Sequence, residues 1–369
     1  MRRHIVTCLL VFLAFGAGTA ETFAAQEPEV KTVAPASSFL VLPIVYRTPE
    51  TGWAAGVGGL VALRRSDAPR EAHPSSILFA AVATERRQHS VSITPEFYLG
   101  GGASVLYGYF EYSKFPADFY GIGGNTPDGA RENFTPRHIS IEANWVWRIK
   151  AVAGLFAGIR YVGDFFRFDP FDPGGQLARE VVPGAGAGRT SGLGAMVRFD
   201  SRDSVFAPSS GSYHQLSAEL NNSVLGSSFD YLKVKADLRS FFPLFGPSVL
   251  AVQGIMEAAV GTAPLLMLPK LGGDSMMRGY YKGRYRDNVL TAVQAEFRFP
   301  VWWRFGGVVF AAAGGVADSL GRINPAEFKL AWGWGLRFKI SSGEGINLRM
   351  DIGYGKQGSG VYFTANEAF

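Results

Sequence analysis

The chain has 369 residues, with 36 lysines and arginines against 31 aspartates and glutamates (net charge +5), 18% charged residues, 46 glycines, 29 phenylalanines, 14 tyrosines and 7 tryptophans. So small a charge excess leaves no footprint for nucleic acid, and a single cysteine, Cys8, excludes a disulfide framework or a thiolate metal cluster. Beyond the first twenty residues no run of about 18 apolar residues occurs, and no long stretch carries an apolar stripe at i, i+3, i+4 and i+7, which disfavours helical membrane spans.

The first element in chain order is Met1 to Ala20, where Arg2 and Arg3 precede an apolar run from Ile5 to Phe15 and the small residues Gly18, Thr19 and Ala20. This is the layout of a secretory signal peptide, and its apolar run falls short of the roughly 20 residues that cross a bilayer as a helix. Cleavage is expected after Ala20, with Ala24 or Ala25 as later sites. Removal takes Cys8 with it, leaving no thiol, and losing Arg2 and Arg3 lowers the net charge from +5 to +3. Residues 21–38 are rich in Glu, Pro, Ala and Val and read as a flexible periplasmic tether.

From residue 39 onward the chain alternates apolar and polar residues over segments of roughly nine to fourteen residues, the length of a tilted strand crossing a bilayer. Strands are predicted at about 39–47, 53–64, 76–86, 89–100, 103–114, 136–148, 151–164, 189–203, 212–224, 228–241, 248–262, 288–300, 304–315, 328–341, 344–355 and 359–369. In the sixth, Ile139, Ile141, Ala143, Trp145 and Trp147 alternate with His138, Ser140, Glu142 and Asn144. In the tenth, Leu232, Val234, Ala236 and Leu238 alternate with Lys233, Lys235, Asp237 and Arg239. The fourteenth is clearest: Leu330, Trp332, Trp334, Leu336 and Phe338 face one way, and Lys329, Ala331, Gly333, Gly335, Arg337 and Lys339 the other. The polar face is too continuous for a soluble core, and aromatics gather near strand ends.

These features predict an all-β fold, a transmembrane antiparallel up-and-down β-barrel of about sixteen strands over residues 39–369. Closure leaves no unpaired sheet edge in hydrocarbon. An even strand count puts both ends on one side. With the first strand starting in the periplasm, connections 115–135, 165–188, 263–287 and 316–327 fall outside, and 65–75 is the one long inner connection. The glycines of the longest, Gly272, Gly273, Gly279 and Gly283, let it fold back tightly; Arg278 then either sits in solvent at the mouth or enters the lumen, where it would need a carboxylate. Glu296 is predicted to point inward. Phe369 ends an alternating segment with Val361 and Phe363, and such a terminal aromatic resembles a barrel sorting signal.

Three segments lie in order within this pattern: Leu271-Gly272-Gly273-Asp274-Ser275-Met276-Met277-Arg278-Gly279-Tyr280, Phe199-Asp200-Ser201-Arg202-Asp203 followed by Pro208 and Gly211, and Glu296-Phe297-Arg298-Phe299-Pro300. Together they resemble the barrel of the BamA/TamA-type outer-membrane assembly superfamily, whose relatives include the two-partner-secretion transporters; the resemblance covers about residues 39–369. It implies a loop folded into the lumen with an Arg-Gly-aromatic tip, and a strand-turn signature at Asp200, Arg202, Asp203, Pro208 and Gly211. It also implies Glu296 as the lumen partner of Arg278. Where the family commonly has aspartate, in Phe-x-Asp-x-Gly, this chain reads Phe310-Ala311-Ala312-Ala313-Gly314, so Arg278 is left with Glu296 or another lumen acid such as Asp351. No periplasmic polypeptide-transport-associated domain is found ahead of the barrel, which resembles the family's barrel-only branch.

The implied role is outer-membrane biogenesis, or insertion or translocation of a polypeptide or lipid in the bacterial outer membrane, without bond chemistry. The implied partners are outer-membrane lipids, a polypeptide or lipid cargo and periplasmic accessory proteins, with no cofactor and no nucleic acid. The alternative is a passive channel in which Lys233, Lys235, Arg239, Arg337 and Lys339 give weak anion preference, with Asp200, Asp237, Glu296 and Asp351 as their partners. An enzyme is not expected. His138 and Ser140 share a face, but no acid or amide is placed by the sequence to orient them. The five histidines are too scattered for a metal site.

Overall fold

The computed structural model describes residues 37–63, 75–169, 174–179, 182–339, 347–356 and 358–369. The signal segment, nearly all of the tether and the connection 65–74 lie outside the described residues. In chain order the strands are β1 (Ser37–Thr48), β2 (Gly52–Leu63), β3 (Ser75–Thr84), β4 (His89–Leu99), β5 (Ser104–Lys114), β6 (Ala117–Phe119), β7 (Glu132–Phe134), β8 (Pro136–Arg148), β9 (Leu155–Phe168) and β10 (Ala187–Asp200). They continue with β11 (Gly211–Asn221), β12 (Tyr231–Pro243), β13 (Val249–Gly261), β14 (Lys270–Leu271), β15 (Tyr285–Arg286), β16 (Val289–Trp302), β17 (Phe305–Ala317), β18 (Lys329–Lys339), β19 (Asn347–Gly355) and β20 (Gly358–Ala365).

Sixteen of these form one closed barrel in sequence order, β1 to β5, β8 to β13 and β16 to β20, each antiparallel to its neighbours. The short pairs β6–β7 and β14–β15 stand apart as two-stranded sheets within connections. Every predicted strand is present. The largest displacement is at 151–164, where the strand runs from Leu155 to Phe168. Ala151 to Gly154 make a turn instead, closed by Ile149 N–H on the Leu155 carbonyl and by Gly154 at φ +79°. The last predicted strand also ends early, at Ala365 rather than Phe369.

The barrel is inverted relative to a soluble core. Along β18, Leu330, Trp332, Trp334 and Leu336 are exposed on the outer wall, while Ala331, Gly333, Gly335 and Arg337 are buried inside. Along β19, Asn347, Arg349, Asp351 and Gly353 are the inward set. An outward apolar face with a polar, filled lumen is the arrangement of a lipid-facing barrel. Trp302, Trp303, Phe305 and Phe338 pack ring against ring beside the turn that follows β16, Trp302 stacked on Phe305 and the others tilted or edge-on, as an aromatic girdle does at an interface.

The two rims differ as expected for a single-chain membrane barrel. One carries short turns such as 100–103, 244–248 and 303–304. The other carries the connections 115–135, 169–186 and 262–288. There Phe119, Phe134, Phe166, Phe168, Leu177 and Leu265 pack into one apolar cluster that caps the mouth.

Candidate functional site

The 262–288 connection turns down into the lumen, and its glycines explain how. Gly272, Gly273, Gly279 and Gly283 all take positive φ, which costs glycine nothing and other residues about 1–2 kcal/mol. At the tip the need is steric as well. A Cβ on Gly279 would lie 2.5 Å from the Tyr354 carbonyl carbon, and one on Gly353 would lie 2.5 Å from the backbone of Arg278. The loop tip therefore lies flush on the inner face of β19. Gly279 N–H donates to the Tyr362 hydroxyl at 2.9 Å, and the Tyr280 hydroxyl donates to the Leu330 carbonyl at 3.1 Å. Leu271, Met276, Met277 and Tyr280 pack on Leu290, Ala292, Ala312 and Ala331.

This placement delivers Arg278, 1% exposed, between two carboxylates that are both fully buried, Glu296 on β16 and Asp351 on β19. Nη2 donates to Glu296 and Nη1 to Asp351. The guanidinium also lies over the Phe310 ring, 3.5 Å from its centre. Buried charge is tolerable only when neutralised, and the neighbours do this. Arg298 binds Glu296 at 2.8 Å, Arg337 binds Asp351 at 2.5 Å, and Arg349 stands 3.6 Å from both Asp351 and Asp274.

A third carboxylate reaches the network from an unexpected place. After Ala365 the chain leaves the wall at Asn366, φ +64°, whose N–H donates to the Asn347 carbonyl at 2.7 Å. Glu367 then turns inward and binds Arg337 at 2.7 Å, with Arg298 3.8 Å away and Asn347 Nδ2 donating at 2.8 Å. Phe369 is buried against Phe241, Val249 and Ala251, with the Arg298 guanidinium over its ring. The expected sorting aromatic thus lies inside the lumen, not on a wall strand.

The remaining predicted residues fall elsewhere. Asp200, Arg202, Asp203, Pro208 and Gly211 form the 201–210 turn at the short-turn rim, away from the loop. Asp200 holds Arg202 at 2.8 Å, and Asp203 accepts from the Ser209 and Ser210 N–H groups at 2.9 and 3.2 Å and from the Ser209 hydroxyl. Those bonds hold the Asp203 carboxyl below its usual range, although partial burial alone would raise it. A Cβ on Gly211 would lie 2.1 Å from the Ser201 carbonyl oxygen. Lys235 pairs with Glu257 at 2.9 Å, and Arg239 with Asp237 at 2.6 Å. His138 does have an acid, Asp164 at 2.8 Å, contrary to the expectation from sequence. Ser140 and Thr190 flank the same carboxylate in the ladder, so the acid lies between the base and the hydroxyls and no nucleophile–base order results. The sequence places Arg337 in the lumen with Glu296 and Asp351 among its possible partners and Arg298 in the segment after the loop; it does not assign Arg298, Arg349 or Glu367 to this network. The inward parity of Arg337, Arg349 and Asp351 was the available signal for three members of this network.

One junction of the wall is unlike the rest. Among the described residues β1 and β20 share a single register pair, Arg47 opposite Phe363, whereas the other barrel junctions hold eight or more. The chain turns inward at Asn366, so β20 supplies no residues beside the lower part of β1.

Residues 167–369 match the Omp85 superfamily domain. No curated protein matches at the level of sequence. Among solved structures, BamA from Haemophilus ducreyi lacking POTRA domains 1–3 superposes with a TM-score of 0.57 at 13% identity, covering 94% of this chain and 75% of that one. CdiB from Acinetobacter baumannii gives 0.56 at 13% identity over 90% of this chain and 59% of that one. CdiB from Escherichia coli gives 0.58 at 11% over 88% and 62%. At such identities the likeness is one of fold, and this chain spans about three-quarters of the BamA structure and six-tenths of each CdiB. With the family domain matching more than half of its length, the chain belongs to the Omp85 superfamily and is a β-barrel of the bacterial outer membrane.

Proposed function

We propose that this barrel moves or inserts a polypeptide segment at the outer membrane by opening sideways between β1 and β20, with the 262–288 loop closing its lumen and no bond chemistry involved. The observation that carries this is the single-pair seam. A strand edge without a partner is a template for an added strand, and in hydrocarbon its free N–H and C=O groups are costly unless paired. Residues 1–20 act as the export signal in this proposal, so the working protein carries no thiol of its own. Solved barrels of the same fold include CdiB and BamA, and the superfamily match supports a role in assembly or secretion.

The test uses that absence of thiols. Arg47→Cys with Phe363→Cys places one cysteine on each side of the seam. Oxidised barrels in proteoliposomes should lose the ability to insert an outer-membrane client, and a reductant should restore it. Full activity with the seam crosslinked would overturn the lateral route.

A further inference from the structure

At the root of the lumen loop the ladder of β14 and β15 sets Lys270 opposite Arg286. Side chains directly opposite in an antiparallel pair share a face, with Cβ atoms about 5 Å apart, and like charges there repel. Arg286 is 3% exposed. Among the described residues its Nε has no partner, and its recorded acceptor is the Leu265 carbonyl, 3.5 Å from Nη1. Its other neighbours are the ring faces of Phe119 and Phe134, at 5.6 and 5.8 Å. Both cationic stems converge on Gly283: a Cβ there would be 2.8 Å from Arg286 Nη2 and 3.8 Å from Lys270 Cδ.

Arg278, deeper in the same loop, meets two carboxylates; this pair meets none among the described residues. The acid with most influence on Lys270, Glu257, is already bound to Lys235 at 2.9 Å. Burial, with Arg286, Lys282 and Lys233 nearby, lowers Lys270 to about 7, and burial lowers Arg286 to about 10. A buried guanidinium beside a partly buried ammonium, with no carboxylate bound to either among the described residues, destabilises the loop that carries them.

We propose that Lys270 and Arg286, meeting over Gly283, form an anion site that takes a phosphate-bearing group. A phosphate dianion cancels both charges at once, where a single carboxylate leaves one. The guanidinium offers a planar fork for two phosphate oxygens and the ammonium a point charge for the third. Free phosphate and a lipid phosphate headgroup share this chemistry.

The test is thermal unfolding and calorimetric titration of the full barrel in a nonionic sugar detergent at low ionic strength. The probes are inorganic phosphate in one arm and dihexanoyl phosphatidic acid in the other. Either probe should raise the melting temperature of wild type, and affinity should fall at least about tenfold in Arg286→Gln and in Lys270→Gln, the loss of one charge-assisted contact. Tighter binding of the lipid points to a headgroup, and equal binding to free phosphate. In phosphate-free buffer the Lys270→Gln/Arg286→Gln variant should melt no lower than wild type, since it removes a repulsion. A much lower melting temperature there would mean an internal counter-charge and would overturn the proposal. So would equal phosphate affinity in wild type and the single variants, or binding of neither probe by wild type.

Discussion

Arg278 holds its position through charge and shape together, and the two can be separated. Arg278→Ala leaves Glu296 and Asp351 buried with one cation fewer between them; breaking a buried pair from one side costs about 3–5 kcal/mol. Arg278→Lys keeps the charge but loses the fork that reaches strands β16 and β19 together, so it should fall between the two. The midpoint of heat-induced mobility change on gels should order the three proteins as wild type, lysine, alanine. Ala312, the position at which the family commonly has aspartate, is packed among Leu271, Met276 and Met277, and the second carboxylate on Arg278 comes from β19. Lys270 makes a pH-dependent contribution of its own. Its proton is held more weakly in the folded loop, about 7, than in an unfolded chain, 10.5, so between those values the unfolded state binds more protons and folded stability rises with pH. Desolvation comes first in setting this, then the nearby charges of Arg286, Lys282 and Lys233, with Glu257 opposing them. In phosphate-free buffer, thermal stability should therefore gain a component as pH rises from 7 toward 10, and Lys270→Gln should lack it. An unchanged pH profile in the variant would remove Lys270 from this role.

The element that most changes the picture is the segment Asn366–Phe369. Continued as a strand beyond Val361, Phe363 and Ala365, it would put Glu367 and Phe369 on the outer wall, and a carboxylate facing lipid is unfavourable. Turned inward, Glu367 completes the Arg298 and Arg337 pairs and Phe369 fills a buried site. Glu367→Ala should cost about 3 kcal/mol or more, as removal of one partner from a buried network does, and Phe369→Ala about 3 kcal/mol by cavity formation. Both would be read as lowered unfolding midpoints in urea, and a neutral Glu367→Ala would show that the tail is only resting there. This turn was legible in principle, because Glu367 breaks the apolar parity that Phe369 resumes. The sixteen wall strands were legible because each is long enough for its period of two to repeat several times. β6, β7, β14 and β15 were not, since two or three residues show no period and their pairing depends on the fold of the loops around them. For the same reason Glu296 could be assigned inward from its strand, whereas Lys270 opposite Arg286 could not be foreseen. Strand ends shifted where glycine forced a turn, as at Gly154.

At the scale of the whole barrel, the wall and its contents pull toward opposite expectations. Sixteen strands enclose a lumen wide enough for an aqueous channel, and the inner wall carries ionisable residues such as Glu142, Arg160, Glu219, Lys233 and Lys235 that suit a water-filled path. Yet the lumen is entered from both rims, by the 262–288 loop from one and by Asn366–Phe369 from the other, and both are fastened to the same guanidinium–carboxylate network. A barrel filled in this way should conduct poorly in planar bilayers, with small, flickering steps. Arg278→Ala should enlarge them by freeing the loop, Glu367→Ala by freeing the tail. Because Arg337 bridges Asp351 and Glu367, the two effects should be coupled: the double variant should gain less than the sum of the singles. Strictly additive gains would mean that loop and tail close the lumen independently. A large, steady, anion-selective conductance in wild type that neither substitution alters would instead favour a passive channel, since in that case neither segment obstructs the path that ions take.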